Sequence, residues 1–214
     1  MHDLRGPWLC FCFVVLSVAF PITVLAQPTP GFVEDFTSTI SGFGGGASYS
    51  NPGTGGVGGA GDGFLLLALT APGRLGTRSP STNFGGDYVA AGITQIHLSL
   101  NDVGSDEDLA IHFGIGAMMT NFWLYNAAFT PPEHAWAEFV VDLTDEGLFT
   151  QIRGSGTFAE ALTGATNILL RHDLPPLTDT PDTIAGDVGI DHIQLLGPAP
   201  VEPRTWGEIK HLFQ

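Results

Sequence analysis

The chain has 214 residues, enough for one domain with a full hydrophobic core, and it carries 22 acidic against 7 basic side chains for a formal net charge of −15. Such a surface repels phosphate backbones and anionic membranes, so nucleic acid is not an expected partner. It suits cations, and neutral ligands held by hydrogen bonds and stacking.

Residues 1–26 place Arg5 ahead of an apolar run from Trp8 to Leu25 and close on Val24-Leu25-Ala26, the pattern of a secretory signal cleaved after Ala26. At about 17 apolar residues, interrupted by Pro21, the run is short for a membrane span. Cys10 and Cys12 both fall inside it, so the exported chain is expected to hold no disulfide and, after cleavage, no membrane-inserted segment. Neither cysteine occupies a lipobox-like position. The expected location is secreted or at the cell surface. Asp3 and Arg5 leave together, and the mature charge stays at −15.

A Pro-rich lead, 27–31, precedes apolar runs of strand length separated by Gly, Pro, Asn and Asp. These are 32–36, 63–70, 92–100, 109–117, 121–127, 136–144, 167–173 and 188–196. Such spacing with little helical periodicity predicts an all-β antiparallel sandwich over 32–197. One short internal helix is expected in 157–165, with Thr157 as its cap and Gly164 at its end. Residues 198–203 read as a Pro-rich linker. In 204–214, Thr205 and Glu208 form a capping-box spacing ahead of Trp206, Ile209 and Phe213, which predicts a short helix that docks on the sandwich or serves as a sorting tag.

Alternation assigns faces. Phe139, Val141 and Leu143 form one row, opposite Trp136, Glu138, Val140 and Asp142. Ile96, Leu98 and Leu100 oppose His97 and Ser99. Trp123 and Tyr125 share a row opposite Phe122 and Leu124 and are assigned to a wet, aromatic face. Arg171 shares a row with Asp173.

The stretch "NPGTGGVGGAGDGF" (51–64) contains G-x-G-x-x-G at Gly53, Gly55 and Gly58. A dinucleotide loop needs a strand before it and a helix after it, whereas "FLLLALT" follows here, so that reading fails. The repeat-type calcium nonapeptide fails too: Asp62 arrives one residue early and no second copy exists. Oxygen chemistry survives. Asn51 and Asp62 supply hard ligands of the kind calcium takes. Asp35 and Asp191 lie on the first and last strands, which often run side by side in a sandwich.

The order "EDF", "NPGTGG", "GGDYVAAGITQIHLSL", "GSGTFAEALTGATNILLRHD" and "GDVGIDHIQLL" resembles the laminin IV (laminin B) type module. That module is similar to the galactose-binding-like jelly rolls used as carbohydrate-binding modules. The resemblance covers roughly 32–197 and implies a sandwich of jelly-roll type with a structural calcium held by Asp35 (or Glu34) and Asp191. It offers no counterpart for Asn51 or Asp62, which rest on ligand chemistry alone.

Catalytic constellations are weak. No H-x-H or H-E-x-x-H occurs among the histidines, and "GSG" at 154–156 lacks the strand-elbow-helix context of a serine nucleophile. Glu138 and Asp142 lie about 13 Å apart along one strand, too far to act as a glycosidase pair. The expected function is therefore a non-catalytic module that binds a polysaccharide or extracellular-matrix glycan through Trp123, Tyr125, Trp136, Arg171 and His97. A structural calcium at Asp35, Asp191, Asp62 and Asn51 would support it. The alternatives are an adhesive surface protein without sugar affinity, and a small lyase or hydrolase using His97, Glu138 or Arg171.

Overall fold

The computed structural model describes residues 27–104 and 108–198. The predicted signal segment and C-terminal helix, and the end of the linker, lie outside the described residues. Within them the chain forms β1 (Val33–Glu34), β2 (Gly44–Gly45), β3 (Ser48–Ser50), β4 (Leu65–Gly73), β5 (Gly76–Arg78), α1 (Ser81–Phe84), β6 (Gln95–Asn101) and β7 (Ile111–Ala117). These are followed by β8 (Asn121–Tyr125), β9 (Ala137–Asp142), β10 (Phe149–Gly154), α2 (Phe158–Thr163), β11 (Asn167–His172) and β12 (Ile184–Leu196). The expected jelly-roll sandwich is the observed fold.

Two sheets enclose the core. Sheet A has the order β3-β4-β12-β6-β9, with β1 also on β12, and sheet B has the order β10-β8-β7-β11-β5-β2. All pairings between the named strands are antiparallel. First and last strands meet as expected, with Val33 opposite Gln194 and Glu34 opposite Ile193.

Inward rows follow the period-2 pattern. Ile96, Leu98 and Leu100 from β6, Ile111, Phe113 and Ile115 from β7, and Ile168 and Leu170 from β11 are all buried in one cluster. Removing these side chains from water is the main stabilising term of the fold. The predicted helix is α2, and Thr157 and Glu160 close a full capping box on it, satisfying backbone donors the helix start leaves open.

Strand β8 corrects the face assignment. Trp123 and Tyr125 belong to the inward row: Trp123 is 8 % exposed, packs edge-on to Phe158 at 5.5 Å, and donates its indole N–H to Asn121 Oδ1 at 2.7 Å. Tyr125 packs against Phe149 at 5.1 Å. Phe122 and Leu124 point outward yet are also buried. Alternation reports a face only when one row is wet, and β8 is buried on both.

Candidate functional site

The outer face of sheet A is where the sequence places most of its candidates. Trp136 lies just before β9, half-buried, edge-on to Phe64 at 5.3 Å, with its indole N–H donated to Gly55 O at 2.9 Å. It clamps the glycine-rich loop. His97 Nδ1 sits 3.2 Å from Glu138 Oε1, an ion pair only when the imidazole is protonated.

The glycine loop folds back on itself through Gly56 N–H to Asp62 O (2.9 Å) and Gly59 N–H to Gly56 O (2.9 Å), and it covers Asp191. Val57 N–H donates to Asp191 Oδ2 at 2.8 Å and His192 N–H to Oδ1 at 2.8 Å. A Cβ on Gly56 would stand 2.6 Å from Asp62 Oδ2 and 2.8 Å from Asp191 Oδ2, so a side chain there would wedge the loop off the sheet. Burial pushes the Asp191 carboxyl up to about 6. Asp62 adds to the rise, while the two N–H donors oppose it.

Asp35, Asp62 and Asp191 share a depression of about 630 Å³ with Val33, Val57 and His192. Asn51 does not join them. Its Nδ2 donates to Phe36 O at 2.5 Å and Thr39 O at 3.0 Å, and its Oδ1 accepts from Gly53 N–H at 2.7 Å. Among the described residues no three His, Cys, Asp or Glu side chains are grouped closely enough to hold a metal ion. The expected four-ligand calcium set does not fit as a set: Asn51 is committed to backbone partners of its own, and the Asp191 carboxyl accepts from two backbone N–H groups.

The outer face of sheet B carries a second depression, of about 390 Å³, within the range of small-ligand sites. Register explains its shape. Leu169 pairs with Gly114 and with Arg78, and Gly116 pairs with Phe122, which in turn pairs with Arg153. These residues share one face across five strands. At Gly114 a Cβ would lie 2.7 Å from both Leu124 and Phe122, so the two side chains lean over the bare backbone. Phe122, Ile152 and Leu169 give an apolar floor, and Gly44, Gly45 and Gly46 give a wall of backbone.

Arg171 borders this depression, at 5 % exposure. Its Nη2 donates to Asp173 Oδ2 and Thr178 O, and its Nη1 to Asp179 O at 3.3 Å. Its Nε is buried without an acceptor. Arg153 Nε reaches Asp179 Oδ1 at 2.6 Å, and its Nη1 reaches Met118 O at 2.9 Å. The two arginines thus pin the segment around Asp179 along one side.

Of the five ligand-binding residues predicted, only Arg171 lies here. Trp136 and His97 are on the opposite sheet, and Trp123 and Tyr125 face the core. The residues missed are Phe122, Ile152, Leu169, Arg74, Arg78 and Arg153. The basic count was visible in the sequence, but not the pairing that gathers these side chains.

No family model and no curated protein matches the chain. Solved structures do. A family 11 carbohydrate-binding module from Clostridium thermocellum, in complex with a β-1,3-1,4-mixed-linked tetrasaccharide, superposes with a TM-score of 0.50 at 16% identity, covering 80% of this chain and 97% of that one. The solution structure of CtCBM11 gives 0.50 at 18% identity, covering 83% and 99%. An exo-β-agarase gives 0.55 at 15% identity over 80% of this chain but 25% of the enzyme. The chain therefore has the jelly-roll sandwich fold that carbohydrate-binding modules use.

Proposed function

We propose that the chain is an exported, non-catalytic glycan-binding module whose ligand lies across the outer face of sheet B. The observation that carries this is the 390 Å³ depression itself, built on one face of five paired strands with an apolar floor and hydrogen-bonding edges on a fold shared with sugar-binding modules. Sugar rings present apolar C–H faces and equatorial hydroxyls, and such a floor with arginine donors at its edge matches both. The likeness to the mixed-linkage-glucan complex supports this reading at the level of fold. The laminin IV resemblance adds an extracellular-matrix glycan to the candidate ligands. Export belongs to the proposal through residues 1–26.

Hydrolysis fits the site poorly. Asp179 is the single carboxylate lining the depression among the described residues, and Arg153 holds it. Glycoside chemistry with paired carboxylates lacks its second partner there. Calcium has no part in this reading.

The test is retention on a panel of polysaccharides, followed by amide chemical-shift mapping with whichever is retained. Perturbations clustered in β5, β11 and residues 178–181 are expected. Perturbations confined to the Trp136 side would move the site to sheet A, and no retention on any glycan would leave the adhesive, non-sugar alternative.

A further inference from the structure

The described residues contain four Lys or Arg side chains, Arg74, Arg78, Arg153 and Arg171. All four line the same depression on sheet B. In a chain of net charge −15, scattered cations would be the ordinary arrangement. Gathering every one of them on a single 390 Å³ feature makes that feature the positive focus of the described surface.

Internal ion pairs use only part of this charge. Arg153 pairs with Asp179 at 2.5 Å, and Arg171 pairs with Asp173. Arg74 and Arg78 are exposed and have no carboxylate partner among the described residues. A second, independent sign comes from Arg171. Its Nε–H is buried without an acceptor at the border of the depression, and an unmet buried donor is a cost that a bound acceptor removes. No tryptophan or tyrosine lines the site, and its one aromatic ring, Phe122, is almost fully buried, so ring stacking is not its main means of recognition.

Resting on the reading of this depression as a glycan site, we infer that the glycan is anionic. Its carboxylate or sulfate groups are held by Arg74 and Arg78 at the rim. Guanidinium forks match both groups through charge-assisted, paired hydrogen bonds, and the acidic surface of the other described residues rejects polyanions. The bulk charge alone points to cationic or neutral partners, because a sum over the chain carries no information on where the few positive groups stand.

The experiment uses the full chain and its Arg74→Ala/Arg78→Ala double variant in affinity electrophoresis through three gels. These contain polygalacturonate (carboxylate), dextran sulfate (sulfate) and a neutral mixed-linkage β-glucan. Both substitutions remove exposed, unpaired side chains, so the melting curve should be unchanged. The expected result is retardation by one of the polyanions that weakens on going from about 50 to about 500 mM salt, and falls roughly ten-fold or more in the double variant. Which polyanion retards identifies the anionic group. Retardation by the neutral glucan alone, or by a polyanion equally in both proteins, would overturn this inference and leave the glycan-binding function standing. Absence of retardation in all three gels would overturn both.

Discussion

At the scale of single residues, the two tryptophans that the sequence treats alike have separate roles. Trp123 fills the core beside Phe158 and holds Asn121; truncation to Ala should cost about 3–5 kcal/mol and lower the melting temperature by ten degrees or so. Trp136→Phe keeps the contact with Phe64 and loses the bond to Gly55 O. We expect a fall of about 1 kcal/mol, seen as a melting shift of a few degrees, with glycan retention intact because the change lies on the other sheet. Asp191 gives a pH signature. Its folded pKa of about 6 stands above the ordinary carboxylate value, so the folded state binds the extra proton. Its contribution to stability is fullest below about pH 4 and declines as pH rises towards 6. Thermal melts over that range should show the component, and Asp191→Asn should flatten it. The slope is the quantity to read, since an Asn amide would set N–H against the N–H of Val57 or His192 and lower stability at every pH.

Elements show what the sequence made legible and what it did not. The eight predicted runs are all strands, and α2 lies where Thr157 and Gly164 place it. Thr157→Ala should cost about 1 kcal/mol by opening the capping box, measurable as a drop of a few degrees. The unpredicted strands β2, β3 and β5 have two or three residues each and are glycine- or serine-rich, with too little apolar periodicity to register. In β10 the pairing slips between Gln151 and Arg153, and the bulge breaks the alternation that would have marked Phe149 and Ile152 as a strand. The site was less legible than the fold for a related reason. Arg78, Leu169 and Phe122 become neighbours only through register between strands far apart in the chain, whereas periodicity reports each strand by itself.

For the whole molecule, the charge is segregated rather than merely negative, and the two outer faces differ accordingly. The acidic depression on sheet A is already stitched to its loop by N–H donors, so EDTA should leave the melting curve unmoved. A bound ion at one hundred times its Kd would add about 2.7 kcal/mol, so a fall of several degrees would reinstate calcium. Strand β12 has a consequence of another kind. Residues 184–196 are the shared neighbour of β4, β6 and β1, and they come after every other strand among the described residues. A growing chain cannot close sheet A until they have been made, so its earlier strands wait as unpaired edges. Fragments ending before Ile184 should not fold. Under the proposed export, late closure of sheet A keeps the preceding polypeptide threadable until β12 has been made.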